Sequence, residues 1–421
     1  MESRRYVQSQ RELERAQRVV PGGVQSSRRP WIEGASPVFI HRGNGCRVWD
    51  VDGNVYVDYT LGLGPIILGY ADPAVTAAVN QQLTRGTLFT LNSVLQTQLA
   101  EELVRLVPCA ETVLFFKTGS DATTAAVRIA RTCTGRELVL RCGYHGWHDW
   151  CFLGNGVPAA VRAATLPFAY NDLRALEQLF EERPGQVAAV ILMPGGEAMH
   201  AGDLVLRPAP GFLEGVRGLC DRNGAVLVFD EIRSGFRMAL GGSQERFGVT
   251  PDLTTLSKAL ANGFPLSAVV GRREVMEAAE RTLLSSTFNG DALGLAAGLA
   301  TLGEIQRRAV VAHLWLVGES LLEGLSTAIA AAGVPAEAVG YPPMPMLVFR
   351  YPDPDQNREA TRVFYTEVLA HGIMVQPGHH WFVSAAHTPE DITHTLTVMG
   401  DALEEVARAV GTGAAGGRAS G

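Results

Sequence analysis

The sequence predicts an α/β fold in which a large domain with a mostly parallel central sheet carries a smaller α+β domain built from both chain ends. Short apolar runs alternate with helical patterns between about residues 72 and 300. The clearest runs, at 187–193, 225–229 and 266–270, are apolar throughout, which is typical of parallel strands buried on both faces. Short strands precede this region and long helical patterns follow it, so the middle of the chain is expected to form the sheet.

The first part of the chain predicts a helix, a small meander and a second helix, in that order. Residues 2–19 have a helical pattern that ends at Pro21, followed by two glycines. Residues 37–59 alternate as short strands separated by turns, which indicates antiparallel strands. Asp72 is a favourable N-cap and Pro73 a favourable first residue, so a helix is expected to begin there.

The last third of the chain predicts two long helices, two strand-like pieces and a final helix. The long helices are expected at 295–308 and 311–332, and the second strand near 372–376. Thr388, with a proline and two acids after it, has the pattern of a capped helix start. The predicted division is an N-terminal segment of the small domain at 1–60, the large domain at 61–305, the C-terminal part of the small domain at 306–410, and a flexible tail at 411–421.

Composition excludes several classes of protein. The chain has 421 residues, of which 47% are hydrophobic and 19% charged, so it is not a disordered chain. Its formal net charge of −7 argues against nucleic acid as a partner, because phosphate binding needs clustered positive charge. No apolar run reaches the roughly 18–20 residues that span a bilayer, and residues 1–18 are too polar for a secretory signal. We therefore expect a cytoplasmic protein that does not bind membranes.

The cysteines raise one alternative, a metal site. Six cysteines are scattered along the chain, which suits free thiols in a reducing compartment. Cys142, His145, His148 and Cys151 are possible metal ligands within ten residues. Zinc sites usually separate their ligand pairs by a longer loop, and here glycines and a tryptophan interrupt the run. We predict no metal, and a metal protein remains an alternative to be tested with chelator.

Only two of the 36 basic residues are lysines, Lys117 and Lys258. Asp230 ends the apolar run at 225–229, and ligands of parallel sheets bind outside the carboxyl ends of the strands. Lys258 follows about 28 residues later among short polar and apolar residues. Desolvation there favours the neutral amine, which is nucleophilic. These two residues are the candidates for chemistry at the sheet edge.

Lys117 precedes a second candidate site, the start of a helix predicted at 122–132. We expect Ser120 or Asp121 to cap this helix, which leaves the amides near Gly119 and Ser120 facing outward as an anion site. Capping alone would also explain such a start. The case for a phosphate therefore depends on neighbouring residues. Tyr144, between two glycines of a tight turn, supplies an aromatic ring, and together these parts suit pyridoxal phosphate (PLP).

The ordered motifs of the chain resemble those of the class III aminotransferases of PLP fold type I, and most of all the branch of glutamate-1-semialdehyde 2,1-aminomutase. The resemblance extends from about residue 21 to residue 392. The matching segments are 21–24, 48–53, 118–121, 131–136, 143–146, 229–237, 256–258, 286–290 and 382–388. It implies a PLP-dependent transferase fold whose large domain binds the cofactor.

The resemblance also implies roles for residues on the cofactor. Lys258 would be the Schiff-base lysine and proton carrier, and Asp230 would pair with the pyridinium nitrogen. Ile232 and Tyr144 would pack on opposite faces of the ring. The phosphate would bind Gly119 and Ser120, and Thr287 would reach it from the neighbouring subunit, which implies a homodimer with shared sites. Lys117 has no counterpart role, so we expect it to be structural or exposed.

Departures from the aminomutase pattern concern the substrate end. Arg29 is the counterpart of a carboxylate-binding arginine, and equally suits an exposed arginine because Ser27 replaces a neighbouring proline. Residues 376–381 form a shorter segment, without the glutamate that reads the substrate amine in the aminomutase, and His380 is a candidate substrate contact there. Residues 193–197 are also altered, and Glu197 is the candidate for the phenolic oxygen of the cofactor.

We therefore predict an aminotransferase that moves an amino group from an amino donor to a small keto or aldehyde acceptor in a biosynthetic pathway. Two isomerases remain alternatives, an intramolecular aminomutase and a PLP-dependent epimerase, since neither needs a second substrate. A non-enzymatic PLP-binding protein is a third alternative, which would show no spectral change with any amine. The donor, the acceptor and the stereochemistry do not follow from the sequence.

Overall fold

The computed structural model describes residues 6–25, 32, 37–152, 154–195 and 207–412. Within those ranges the α-helices are α1 Val7–Ala16, α2 Pro73–Leu83, α3 Val94–Leu106, α4 Gly119–Thr134, α5 Ala159–Arg162, α6 Leu173–Glu182, α7 Phe212–Asn223, α8 Gly242–Phe247, α9 Arg273–Met276, α10 Ala292–Arg307, α11 Val310–Ala332, α12 Pro354–Ala370 and α13 Pro389–Val410. The strands are β1 Ile40–Asn44, β2 Arg47–Asp50, β3 Val55–Asp58, β4 Thr112–Phe116, β5 Leu138–Cys142, β6 Thr165–Pro167, β7 Val187–Leu192, β8 Val226–Asp230, β9 Leu253–Leu256, β10 Ser267–Gly271, β11 Ala336–Tyr341, β12 Met344–Phe349 and β13 Ile373–Met374.

The central sheet has the order β4-β10-β9-β8-β7-β5-β6. Strands β6, β5, β7, β8 and β9 are parallel to one another, which agrees with the predicted, mostly parallel sheet. Every residue of β7 and β8 is buried, because helices cover both faces of the sheet. The sheet confirms the predicted α/β class.

The prediction of a parallel strand at 266–270 is wrong in direction. Strand β10 lies there, buried at every residue, but it is antiparallel to both β9 and β4. A continuous apolar run shows only that both faces of a strand are covered. The direction of β10 is decided by its connection to β9. Residues 257–266 between the two strands contain one short 3-10 helix, and a parallel arrangement would need a longer crossover.

A second sheet joins the two ends of the chain. Strands β1, β2 and β3 form the predicted antiparallel meander, and β13, at the position predicted near 372–376, pairs in parallel with β3. Helix α13 packs on α11 and α12 beside this sheet. The arrangement supports a small domain built from both chain ends, while the domain boundaries at 60, 305 and 410 remain a proposal.

The predicted helix starts at Asp72 and Thr388 are confirmed by their hydrogen bonds. The Asp72 side chain accepts from the amides of Ala74 and Val75. The Thr388 hydroxyl accepts from the Asp391 amide at 3.2 Å, and the Asp391 carboxylate accepts from the Thr388 amide at 3.0 Å, which is a capping box. The first helix is shorter than the predicted 2–19, since it begins at Val7 and ends at Ala16.

Among the described residues, one helix is long and apolar enough to cross a membrane by length and composition alone, α11. It packs on α13 and β11, and Leu314, Leu321 and Leu325 on it are fully buried. The core helix of a protein that does not enter a membrane can have the same length and apolar composition. A single helix of this kind is therefore weak evidence for a membrane span.

Candidate active site

Asp230 lies at the carboxyl end of β8 with only 3% of its surface exposed. His145 Nδ1 lies 2.7 Å from its Oδ2. The amide of Ile232 and the hydroxyl of Thr255 donate to its Oδ1 over 3.2 and 3.3 Å. A buried carboxylate held by one short and two long hydrogen bonds retains capacity for a further, cationic donor.

His145 is a site residue that the sequence does not predict, because its spacing from Cys142, His148 and Cys151 indicates only a possible metal ligand. It is 1% exposed, and its ring stacks on Trp150 at a centroid separation of 6.2 Å. The Thr123 hydroxyl donates to its carbonyl oxygen over 2.7 Å and fixes the turn. Its Nδ1 donates to Asp230, so the imidazole orients the carboxylate. The tight Gly-Tyr-His-Gly turn was the available signal.

The four residues of the possible metal cluster are directed to different partners. His145 binds Asp230, whereas His148 Nδ1 lies 2.7 Å from the Thr124 hydroxyl. The thiol of Cys151 donates to the carbonyl oxygen of His148 over 3.2 Å. In the described part of the chain, no three His, Cys, Asp or Glu side chains come together as metal ligands.

Lys258 lies at the same sheet edge as Asp230. It begins the 3-10 helix Lys258–Ala261, directly after β9, and Asp230 is in register with Thr255 on that strand. Its φ of 44° is in the left-handed region, which is uncommon for a residue with a side chain and is concentrated at functional sites. The backbone therefore holds this lysine in a conformation that the surrounding fold must enforce.

Lys117 has a structural role, in agreement with the expectation. Its Nζ donates to the Asp291 carboxylate at 2.8 Å and to the carbonyl oxygen of Pro265 at 2.9 Å. Asp291 in turn caps α10. Lys117 therefore ties the end of β4 to the start of a helix, and its amine is engaged there.

The helix that follows Lys117 begins earlier than predicted, and its cap is a different residue. Thr118 is the N-cap of α4, with its hydroxyl 3.2 Å from the Asp121 amide, so Ser120 and Asp121 are not the cap. Only Thr118 has the extended backbone conformation that a cap requires, with φ −117° and ψ 158°. Gly119 and Ser120 are the first two helical residues, and amides at this position have no partner within their own helix, so they suit an anion.

Two glycines shape the space around this helix start. A β-carbon on Gly119 would lie 2.8 Å from Cδ1 of Ile232, so the two residues are in close contact. A β-carbon on Gly146, whose φ is 110°, would clash with the Ser120 side chain. The structure thus brings Gly119, Ser120 and Ile232 together beside the turn that carries Tyr144.

Tyr144 presents an aromatic ring beside these groups, with 48% of its surface exposed. Burial of its other half raises the pKa of its phenol, and the charges of Arg233 and Asp230 also act on it. Asp230 thus lies within electrostatic reach of this phenol, and the role of Tyr144 as a ring platform stays a prediction. Thr287 is exposed in the turn at 287–290. Glu197 and Arg29, the remaining candidates, lie outside the described residues.

The segment at 376–381 lies within electrostatic reach of Lys258. His380 is 1% exposed, with its Nδ1 3.4 Å from the carbonyl oxygen of Met344. His379 is half-buried, and its Nδ1 lies 2.8 Å from the carbonyl oxygen of His380. Trp381 is fully buried, with its Nε1 donating to the carbonyl oxygen of Gln376, so it fills the core.

The side chains of Arg233 and Lys258 act electrostatically on His379 and His380. Burial lowers the pKa of His379 to about 4, with smaller contributions from Arg233 and Lys258 in the same direction. Burial also holds the pKa of His380 well below its usual value, again with Arg233 next in importance. Arg233 is 8% exposed, and the sequence reasoning missed it because arginines are usually at the surface. Both imidazoles are therefore neutral near pH 7.

These groups fit pyridoxal phosphate. The buried carboxylate of Asp230 has capacity for the ring nitrogen, and the outward amides of Gly119 and Ser120 suit the phosphate. The close approach of Ile232 to Gly119 leaves an apolar surface for one face of the ring. The fit rests on a buried acid, an anion site and a lysine that meet at one sheet edge.

Comparison with known proteins gives one family and relatives with two kinds of activity. Residues 32–403 match the model of the family described as aminotransferase class-III. The chain is 39% identical over 399 residues to 3-aminobutyryl-CoA aminotransferase of Cloacimonas acidaminovorans (strain Evry), with 94% of this chain and 96% of the relative covered. It is 38% identical over 423 residues to glutamate-1-semialdehyde 2,1-aminomutase of Syntrophobacter fumaroxidans (strain DSM 10017 / MPOB), with 93% and 96% covered.

A solved structure of similar fold contains the cofactor. The FumI protein of Sphingopyxis sp. MTA144, in its PLP internal aldimine form, superposes with a TM-score of 0.91 at 33% sequence identity. The match covers 96% of this chain and 97% of that protein. The fold and the cofactor predicted from the sequence are thereby confirmed.

Proposed function

Because the chain belongs to the class-III aminotransferases and uses pyridoxal phosphate, we propose that it moves an amino group between two separate molecules, an amine donor and a small keto or aldehyde acceptor. Bound PLP supplies an electron-withdrawing ring that stabilises negative charge on the carbon bearing the amine. The protein holds that ring, moves the proton and selects the substrate.

The cofactor is proposed to be held at three points. Lys258 carries it covalently, and Asp230 keeps its ring nitrogen protonated, which is favourable because a buried carboxylate needs a cationic partner. The phosphate accepts hydrogen bonds from the amides of Gly119 and Ser120 at the start of α4. Ile232 and Tyr144 enclose the ring from opposite faces.

Lys258 is also proposed to carry the proton. Once the donor amine has displaced it, its Nζ would take the proton from the donor carbon that bears the amine and would deliver it to the cofactor carbon on the other side of the nitrogen. This step requires a neutral amine. His145 is a positioning residue, since it contacts Asp230 and holds that carboxylate in place.

A homodimer with shared sites is proposed from Thr287 and from apolar side chains at the surface. Leu91, Trp147, Leu283 and Phe288 are 83%, 69%, 82% and 59% exposed, which favours a protein partner over solvent. If Thr287 serves the site of the neighbouring subunit, a mixture of Lys258→Ala and Thr287→Ala chains regains activity in mixed dimers, because one site is then intact. No recovery after mixing would show that Thr287 acts within its own chain.

We also propose a cytoplasmic location, in keeping with the free cysteines of the described residues.

The neutral substrate end favours transfer between molecules over an internal shift of the amine. Residues 376–381 contain no acid, and His379 and His380 are both neutral beside Arg233. An ammonium group therefore has no counter-ion in this segment. This is the observation that carries the choice between the two activities of the relatives. By analogy with the relative that acts on 3-aminobutyryl-CoA, we propose compounds with an amino or oxo group at carbon 3 as substrates.

Two measurements test the proposal. Amines with the amino group at carbon 3 should remove the visible absorbance of bound PLP in the absence of an acceptor, and an added keto acid should restore it. Glutamate-1-semialdehyde should yield little 5-aminolevulinate without an added donor, and efficient formation would instead establish the aminomutase. An epimerase would invert its substrate while the absorbance of the cofactor returns to its starting value in every cycle.

A further inference from the structure

The hydrogen bonds of His379 fix which of its ring nitrogens carries the proton. Its Nδ1 lies 2.8 Å from the carbonyl oxygen of His380. A carbonyl oxygen only accepts hydrogen bonds, so Nδ1 must be the donor. The ring is neutral near pH 7, since burial lowers its pKa to about 4. Nε2 therefore carries a lone pair and is a hydrogen-bond acceptor.

The backbone that follows His379 holds this lone pair in a fixed direction. Trp381 and Phe382 are fully buried, and their amides donate to the carbonyl oxygens of Pro345 and Tyr59 over 2.9 and 2.7 Å. The ring of His379 packs on Phe382 at a centroid separation of 6.0 Å. The acceptor is thus pre-organised by the core and needs little ordering when a ligand arrives.

Of the two adjacent histidines, His379 is the one that a substrate can reach. His380 is 1% exposed, and its Nδ1 is directed to the backbone of Met344. His379 is only half-buried and lies within electrostatic reach of Lys258, where the substrate amine reacts. The cation Arg233 also acts on His379, so a second ammonium group is disfavoured there, whereas an uncharged donor is not repelled.

We propose that Nε2 of His379 accepts a hydrogen bond from an uncharged N–H or O–H group of the substrate, and that His379 thereby determines substrate specificity. The inference rests on the proposed function and defines its substrate class more narrowly. A site built to accept a hydrogen bond discriminates against an analogue that lacks the donor, because the analogue gives up that hydrogen bond and offers nothing in its place.

Matched amines test the proposal on the PLP-loaded enzyme. 3-Aminobutanamide offers an N–H donor and 3-amino-1-butanol an O–H donor, whereas methyl 3-aminobutanoate and the methyl ether of the alcohol offer none. We expect His379→Phe to lower kcat/KM for one of the two donors by at least about tenfold, mainly through KM, and to change the values for the two methylated analogues by less than about threefold. The donor that is affected identifies the group as an amide or a hydroxyl.

Two further variants separate recognition from structure. His379→Gln retains an uncharged acceptor and should restore most of the discrimination. His371→Phe is the matched control, since His371 also has its Nδ1 on a backbone carbonyl oxygen, 2.9 Å away, but is exposed at the end of α12. Equal losses with donors and methylated analogues in His379→Phe would overturn the proposal.

A direct measurement keeps the test independent of turnover. Nitrogen NMR of the holoenzyme with labelled histidine should show His379 protonated on Nδ1 only, from about pH 6 to 8, with its Nε2 signal shifted by the bound donor amine. A signal that titrates in that range, or a proton on Nε2, would refute the assignment. If the wild-type enzyme reacts with none of the four amines, the proposed substrate class fails, while the NMR result still decides the role of His379.

Discussion

The two ends of the site are built in different ways. At the cofactor end, Asp230 ends β8 and Lys258 comes two residues after the adjacent parallel strand β9, so the central sheet fixes their separation. At the substrate end, His379 and His380 belong to a connection between β13 and α13 without helix or strand, held by backbone hydrogen bonds to Pro345 and Tyr59. The proposed function thus places the chemistry on the central sheet, and specificity on a connection whose side chains can change without moving the sheet.

This difference gives a physical reason for the expected departure from the aminomutase pattern at 376–381 beside intact cofactor motifs. A substitution in the connection alters the groups that meet the substrate, because the buried anchors Trp381 and Phe382 keep the backbone in place. A substitution at the sheet edge alters the reaction itself. The predictions below test that division, from the largest effect to the smallest.

Removal of the Lys258 amine should have the largest effect. Lys258→Ala should lower the rate of amino transfer by at least about 10³-fold with every amine, since both the covalent link and the proton carrier are lost. The rate of change in the visible absorbance after mixing with amine measures this. Lys117→Ala is the control, because it removes the only other lysine, and it should lower stability by about 1–3 kcal/mol while the rate is retained. Comparable rate losses in the two variants would contradict the assignment.

Asp230→Asn should lower the rate of the same half-reaction by about 10²-fold, because the neutral amide no longer stabilises a protonated ring nitrogen. Unlike a change at His379, it should affect all amines equally. Asp252→Asn is the matched control: Asp252 is also a buried carboxylate, but it lies at the opposite end of the same strands and accepts from the Leu227 amide at 2.7 Å. It should lower stability and leave the rate of the folded protein within about threefold. A rate for Asp230→Asn close to that of wild type would remove the carboxylate from the mechanism.

Glu231, next to Asp230, makes the stability of the sheet edge depend on pH. It is fully buried, and its side chain accepts from the amides of Ser243 and Gln244. Burial raises its pKa from 4.5 to about 7. The folded state therefore holds this proton more tightly than the unfolded chain, so stability is lost as the pH rises from about 4.5 to about 7, by about 3 kcal/mol in total.

Glu231→Gln should remove that loss, because glutamine has no proton to release. Unfolding midpoints of both proteins between pH 5 and 8 would show it as a difference that changes with pH. Glu245→Gln provides the control. Glu245 is exposed on α8, the helix whose Ser243 and Gln244 amides donate to Glu231, and its replacement should leave the pH dependence of wild type. A parallel pH dependence in wild type and Glu231→Gln would contradict the linkage.

The sequence predicts the cofactor end better than its surroundings, for physical reasons. Asp230 was predictable because a buried strand ends in an acid, and that signal is local. His145 was not, because its role depends on contact with a carboxylate 85 positions along the chain. The predicted direction of β10 is wrong because parallel and antiparallel strands can be buried to the same extent, so the apolar run does not distinguish them. The buried position of Arg233 depends on the whole fold, which no local pattern reports.

The smallest effect should come from the helix cap at the cofactor end. Thr118 and Thr388 begin α4 and α13 with the same capping box, in which the hydroxyl lies 3.2 Å from the amide of an aspartate three residues on. Replacement of either threonine by alanine should lower stability by about 1 kcal/mol. Only Thr118→Ala should also weaken PLP binding, by a few-fold, because only α4 directs its first amides to the phosphate. Equilibrium dialysis of PLP with the two variants measures this, and equal affinities would place the phosphate elsewhere than at α4.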